Sequence, residues 1–341
     1  MGKDPSENRL EEKPDVFADV MNNLVLGGQK VITEEELVLM PTRAYVRKTD
    51  GELRSGMRDV RMESRKHGIL HLISSFENQT EIDNTMPERV MGYEYSSYEE
   101  QVKQIMDENN RKKKYAGAKR IFRNQKLAPV LTGVLYYGRR KWKTPLRLHE
   151  MLQFPEGMEE ELKPYVADYP INLVQVAHLT KEERERLTSD FRIVAEYLAC
   201  RDDKEKWMEF LENTKEIRHV EELLDVIWEL SGDENYRILR EKIMKKEIRK
   251  EKWTMCEMIQ SVIRAGREEG IKEGIETGRR EGIETGRREG IETGRQSGIF
   301  AMIHENLDMG KEKESILEKL VKYFSITKES AEEYYNQAIV A

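Results

Sequence analysis

All strand-like runs of this 341-residue chain lie before residue 180. Apolar, β-branched runs bounded by turn residues are typical of strands. They cover residues 43–48, 57–64, 70–80, 128–137 and 171–176. A helix predicted over residues 86–114 lies among them, as a crossover between parallel strands requires. The order of elements therefore predicts an α/β layer fold for the first half of the chain.

Two helix boundaries are marked by residue type. Residues 14–27 have apolar side chains at helical spacing, and the glycines at 27 and 28 end the pattern. Thr85 precedes Glu88 by three residues, the spacing of a capping box, with Pro87 in the first turn. We therefore expect one short helix before the strands and a long helix that begins near residue 86.

Beyond residue 180 the pattern changes to helices rich in Glu, Lys and Arg, with no strand signal. Residues 266–298 form an eight-residue repeat, Gly-Ile-Glu-Thr-Gly-Arg-Arg-Glu, in which glycine recurs at every fourth position. Each glycine costs a helix about 1 kcal/mol relative to alanine. We favour a helical or partly frayed spacer here over an oligomerisation zipper. From about residue 312 an amphipathic pattern predicts a helical hairpin.

Composition narrows the class of protein. Charged residues make up 36% of the chain and hydrophobic residues 38%, as in soluble proteins with long solvated helices. No stretch approaches the length of a membrane span, and the charged start has no apolar stretch of the kind found in secretion signals. The two cysteines, Cys200 and Cys256, imply no disulfide framework. We therefore expect a cytoplasmic protein.

The net charge of −7 hides a strongly basic segment. Residues 109–149 contain no Asp or Glu. The segment holds thirteen cations: Arg111, Lys112, Lys113, Lys114, Lys119, Arg120, Arg123, Lys126, Arg139, Arg140, Lys141, Lys143 and Arg147. Such a one-sign segment is typical of a surface that binds a polyanion such as DNA, although a merely solvated basic face is the alternative.

Alternation of side chains places two acids on one face of a predicted hairpin around Gly68. Asp59 shares its face with Arg61 and Glu63, and Glu77 shares its face with Ser75 and Gln79.

If Lys66 pairs with Leu70 across a three-residue loop, Asp59 lies directly opposite Glu77. Two facing carboxylates repel each other, so this arrangement implies a shared cation. Oxygen ligands of this kind suit Mg²⁺ or Mn²⁺. A solvated hairpin face with ordinary surface acids is the alternative interpretation.

Other kinds of site have little support in the sequence. The six histidines and two cysteines show no spacing typical of zinc ligands. The sequence contains no phosphate-binding P-loop and no dinucleotide-binding glycine motif. The glycine repeat is not a substitute, since it lacks the preceding strand that either motif requires.

Several blocks, in order along the chain, resemble those of one family. They read VFADVMN (16–22), RDV (58–60), FENQTEID (76–83), MPERVM (86–91) with Tyr93, PVLTGVLYYG (129–138) and DYPINL (168–173). The glycine repeats of the tail are similar as well. Together they resemble the Rpn family of recombination-promoting nucleases, also described as transposases, within the PD-(D/E)XK nuclease superfamily.

The resemblance implies roles for individual residues. Asp59 and Glu77 match the metal-binding acids, and Gln79 stands where the superfamily usually has lysine, as is common in this family. Asp19 is the candidate for a further acid from the first helix, with an exposed helix acid as the alternative. Two further sets are candidates for DNA contact. They are Arg89 with Tyr93, for which packing on the helix surface is the alternative, and Arg111, Lys112, Lys113 and Lys114.

The expected architecture follows. Residues 1–180 form a restriction-endonuclease-like domain, a mixed sheet flanked by helices. Residues 181–260 form a helical extension, 261–300 a glycine-repeat spacer and 301–341 a helical hairpin.

The expected function is Mg²⁺-dependent DNA endonuclease activity in recombination or mobile-element biology, with a homo-oligomer formed through the tail as a further expectation. The alternatives are a catalytically weak or inactive DNA-binding protein of the same fold and a non-enzymatic assembly factor that acts through its helical tail.

Overall fold

The fold was obtained as a computed structural model. It describes residues 10–41, 43–47, 53–57, 59–112, 121–201, 203–212, 216–248, 250 and 252–340. The chain divides into two compact units, Met1–Gly266 and Arg267–Ala341.

Strands are confined to the first unit. In the described residues they are β1 (Leu37–Leu39), β2 (Arg43–Arg47), β3 (Leu53–Met57), β4 (Val60–Lys66), β5 (Ile69–Gln79), β6 (Val130–Tyr136), β7 (Asn172–Gln175), β8 (Glu216–Ile217) and β9 (Trp253–Thr254). Five of them form one mixed sheet in the order β1-β4-β5-β6-β7. In this sheet β4 is antiparallel to β1 and β5, whereas β5, β6 and β7 are parallel.

Helices flank this sheet in the first unit, and the described chain after β7 is mostly helical. The helices are α1 (Pro14–Val20), which continues as a π-helix (Met21–Val25), α2 (Met86–Arg111), α3 (Glu159–Leu162), α4 (Lys181–Arg186), α5 (Phe191–Cys200), α6 (Lys204–Glu212), α7 (Val220–Ser231), α8 (Glu234–Met244), α9 (Met255–Asp308), α10 (Lys313–Phe324) and α11 (Lys328–Val340). Helix α2 is the crossover between the parallel strands β5 and β6. The predicted α/β fold with a helical C-terminal region is therefore confirmed.

The β4–β5 hairpin differs from the prediction at its turn. Lys66 pairs with Ile69 rather than Leu70, so the turn has two residues, His67 and Gly68. Both have positive φ, 52° and 79°, as a tight type I′ turn requires. A bulge between Ser64 and Arg65 then shifts the register by one residue, which restores the predicted pairing nearer the start of β4.

The sheet packs on α1 through its apolar face. Phe17 of α1 and Phe76 of β5 are fully buried, with ring centroids 4.6 Å apart. One hydrophobic cluster contains buried residues from Leu10 to Ala265, so helices after residue 180 pack into the same core as the sheet.

Two expectations about local structure are wrong. The region after residue 180 contains two short paired strands, β8 and β9, although no strand signal was found there. The capping box of α2 does not form, because the Thr85 hydroxyl donates instead to Oδ1 of Asp83, at 2.6 Å. The start of the helix at Met86 nevertheless agrees with the prediction.

The second unit contains the predicted C-terminal hairpin. Helices α10 and α11 pack together with the end of α9, around a core that includes Ile303, Leu320 and Tyr335. Both cysteines are free. No helix in the described part of the chain is long and apolar enough to cross a membrane.

Seven of the nine glycines of the repeat face open space within the described chain. A Cβ atom added at the seven glycines from Gly270 to Gly294 would meet no atom within 4 Å. At Gly266, in contrast, it would clash with Oδ1 of Asn235.

This contrast gives a test of the spacer interpretation. Replacing Gly278 and Gly286 with alanine should raise helicity by circular dichroism and stabilise the helix by about 1 kcal/mol per site, because only the helix itself is affected. The control Gly266→Ala should lower thermal stability. A loss of helicity or a smaller mass by light scattering for the Gly278→Ala, Gly286→Ala variant would indicate a partner packed on the glycines.

Candidate active site

Strands β4 and β5 bring two acids together at one edge of the sheet. Val60 pairs with Phe76, so Asp59 and Glu77 occupy the next position along the hairpin. Asp59 is 8% exposed and Glu77 is 0% exposed. The backbone N–H of Asn78 donates to Oδ2 of Asp59 at 2.6 Å, which fixes the Asp59 carboxylate against β5. The pairing of Val60 with Phe76 has the predicted register at this end of the hairpin.

The Glu77 carboxylate has partners on its own strand and on helix α2. Gln79, two residues along the same face of β5, donates from Nε2 to Oε1 of Glu77 at 3.0 Å. Arg89, from the first turns of α2, donates from Nη2 to the same oxygen. A buried carboxylate needs such partners, because an unpaired charge in the interior is strongly unfavourable.

Arg89 is itself held at several points. Its Nη1 donates to Oδ2 of Asp83 at 2.6 Å, and its Nη2 donates to the Tyr93 hydroxyl at 2.9 Å. Burial alone would lower the pKa of Arg89, but the charge of Glu77 and the hydrogen bond to Asp83 raise it on balance. Burial likewise acts to raise the pKa of Asp83, yet hydrogen bonds from Thr85 and Arg89 lower it. Arg89 and Asp83 therefore both stay charged at neutral pH.

The donor set decides which metals fit. Among the described residues, no group of three or more His, Cys, Asp or Glu side chains is placed to hold a metal ion. A zinc site with three or four protein ligands therefore does not fit. Mg²⁺ is usually held by only one or two carboxylates, and waters and substrate phosphates complete its shell. Asp59 and Glu77 fit that requirement.

Gln79 gives this site an uncharged amide beside Glu77. Its side chain is nearly buried and donates to Glu77. An amide can hydrogen-bond a phosphate or a water molecule but carries no charge. Arg89, which comes from α2 rather than from β5, is a cation that contacts Glu77.

Asp19, the acid expected from the first helix, has partners elsewhere. Its Oδ2 accepts from the backbone N–H groups of Thr188 and Ser189 at 2.9 and 2.8 Å. Its Oδ1 accepts from the Thr188 hydroxyl and from Asn23. The structure therefore gives Asp19 the role of a cap for the turn that precedes α5.

A different N-terminal acid lies against the site strand. Glu11 is buried and accepts from Nδ2 of Asn78 at 2.8 Å and from the Tyr137 hydroxyl. Asn78 is the residue whose backbone N–H holds Asp59. No spacing in the sequence pointed to Glu11, because the partner that matters lies 67 residues away on the opposite face of β5 from Glu77.

Two groups of the basic residues are separated along the chain. Arg111 and Lys112 are at the far end of α2, and Lys112 pairs with Glu108 at 2.5 Å. At 1.5 Å per residue this end is about 33 Å from Arg89. Lys113 and Lys114 lie outside the described residues. Four other cations of the segment lie in the loop after β6: Arg139, Arg140, Lys141 and Lys143.

Comparison with known proteins gives one match. Residues 33–224 match the family described as "Putative transposase, YhgA-like". No curated protein and no solved structure matches the chain. The matched stretch covers more than half of the 341 residues and includes the site from Asp59 to Tyr93. The transposase family inferred from the sequence blocks is confirmed. This chain belongs to the YhgA-like transposase family.

Proposed function

We propose that the protein is a Mg²⁺-dependent DNA endonuclease that acts in the cytoplasm, in recombination or in the biology of a mobile element. The observation that carries the proposal is the meeting of Asp59 and Glu77 on adjacent strands at one edge of a mixed sheet. Family membership supports a role on DNA, because the family is described as a transposase.

The reaction would be hydrolysis of a phosphodiester. A water molecule loses one proton to solvent as its oxygen bonds to phosphorus, the bond from phosphorus to one sugar oxygen breaks, and that sugar oxygen takes up a proton from solvent. Mg²⁺ held by Asp59 and Glu77 would polarise the phosphate and lower the pKa of a water molecule. Asp59 is oriented for this role by the Asn78 N–H, and Gln79 could donate a hydrogen bond to the water or the phosphate.

The loop after β6 supports DNA as the substrate. Because β5 and β6 are parallel, Gln79 and Tyr136 end at the same edge of the sheet, and the loop begins there. Trp142 is 1% exposed and packs edge-on against Tyr136 at 5.3 Å, so it anchors the loop.

The four cations around Trp142 are exposed, and none is paired with a carboxylate among the described residues, whereas Arg147 pairs with Asp168. A fixed loop with four unneutralised cations beside two acids suits a phosphate backbone.

DNA affinity measured over a range of salt concentrations tests the two groups of basic residues separately. Replacing the loop cations Arg139, Arg140, Lys141 and Lys143 with glutamine should flatten the slope of log affinity against log salt, by about 0.9 for each phosphate that the protein no longer neutralises. The same exchange at Arg111, Lys112, Lys113 and Lys114 should also flatten the slope. Because the loop lies at the acidic edge, only the loop variant should slow nicking at saturating DNA. If replacement of either group of cations leaves the slope unchanged, that group does not contact the DNA backbone.

Plasmid nicking tests the catalytic assignment. With Mg²⁺ or Mn²⁺, Asp59→Ala and Glu77→Ala should each abolish nicking while the circular dichroism spectrum stays that of the wild type. Asp19→Ala is the matched acid control. It should lower stability by about 1–2 kcal/mol through loss of a cap, yet retain nicking. Undiminished nicking by the Asp59 or Glu77 variant would refute the assignment.

One observation favours a second candidate function, a DNA-binding protein of the same fold with weak or lost catalysis. Gln79 cannot supply the positive charge of the usual lysine, and Arg89 donates a hydrogen bond to the Glu77 carboxylate that would hold the metal. Salt-dependent DNA binding without metal-dependent nicking by the wild type would identify this function.

A further inference from the structure

The proposed endonuclease needs a positive charge beside the phosphate, since hydrolysis places extra negative charge on the phosphate oxygens. The residue at position 79 cannot provide it, because glutamine is neutral. Arg89 reaches the site from α2 and donates to the same Glu77 oxygen as Gln79.

We propose that Arg89 is a catalytic residue that binds the scissile phosphate and takes over the role of the missing lysine. The inference rests on the proposed function. Arg89 forms and breaks no covalent bond. Its guanidinium donates hydrogen bonds to the non-bridging oxygens while water adds to phosphorus and the sugar oxygen leaves, and its planar fork matches such oxygens well.

The geometry around Arg89 supports this role. Asp83 and Tyr93 hold its guanidinium from the side of α2, so it is oriented before any ligand binds. Its side chain is nevertheless 29% exposed, whereas Glu77 is completely buried. A guanidinium that reaches a buried acid and also borders solvent can contact a phosphate there.

Two other arginines on the same face of the sheet pair with other acids. Arg61 pairs with Glu100 at 2.9 Å, and Arg65 pairs with Glu63 at 2.6 Å. Along β4, both arginines are farther from Asp59 than Val60 is. Of these three arginines, Arg89 is the one in contact with the proposed catalytic acid.

The same contact has a consequence for metal binding. Arg89 neutralises Glu77 and so competes with any divalent cation for that carboxylate. Removal of the Arg89 charge should therefore make Mn²⁺ bind at least as tightly as in the wild type, although nicking slows. A residue that only supports the fold would instead weaken both when it is removed.

The test uses the full chain with three variants: Arg89→Gln, the double variant Gln79→Lys with Arg89→Gln, and the control Arg65→Gln. Arg65 also pairs with a buried acid but lies near the turn of the hairpin. Nicking rates are measured with saturating plasmid and Mg²⁺, Mn²⁺ affinity by calorimetry, and folding by thermal unfolding. Arg89→Lys is added in case Arg89→Gln fails to fold.

We expect Arg89→Gln to nick about 100-fold more slowly or worse, the effect typical of removing an electrostatic donor. Mn²⁺ affinity should be unchanged or higher. The double variant should regain most of the rate, because it returns the charge to the strand. Arg89→Lys should be intermediate, and the control should match the wild type.

Two results would overturn the inference. One is an Arg89→Gln variant that nicks like the wild type. The other is a folded double variant no faster than Arg89→Gln, together with weakened Mn²⁺ binding in both. If the wild type itself fails to nick with either metal, the proposed function fails instead, and the two failures are thereby told apart.

Discussion

The carboxylate of Glu77 is fully removed from solvent. A charge in that position is tolerated only when donors surround it, since the cost of an unpaired buried ion is several kcal/mol. Gln79 and Arg89 provide those donors, and Asp83 and Tyr93 hold Arg89 in place. The first turns of α2 are therefore tied to the end of β5 by charge as well as by packing.

The pairing of the strands determines where the candidate site lies. The antiparallel pairing of β4 with β5 places Asp59 beside Glu77, and the parallel pairing of β5 with β6 brings the basic loop to the same edge. The opposite face of β5 packs on α1 through Phe76. One strand thus carries core contacts on one face and the candidate site on the other, and the loop with four cations begins at the same end of the sheet.

Much of this arrangement could be predicted from residue patterns. Alternation along the two runs around Gly68 placed Asp59 opposite Glu77, and the long helix after Thr85 gave the parallel crossover. The turn was predicted with one residue too many, but the bulge after Ser64 compensates for that difference before the site is reached. The alternation of residues thus predicted which side chains share a face of each strand, but it did not predict the bulge.

The partners of buried polar groups could not be predicted in the same way. Asp19 and Glu11 are both acids near the first helix, and spacing does not show that one caps a turn 169 residues away while the other supports Asn78. The roles of Asp83 and Arg89 likewise follow from contacts across the start of α2. Such contacts depend on tertiary packing, which composition and periodicity do not encode.

The central claim is that Asp59 and Glu77 together hold a divalent metal ion. Titration of Mn²⁺ into the full chain, followed by calorimetry or by the electron paramagnetic resonance signal of free Mn²⁺, tests it without any need for turnover. The account predicts one site in the wild type that is absent from Asp59→Asn, a variant that keeps the shape of the side chain and removes its charge. Equal Mn²⁺ binding by the two proteins would contradict it.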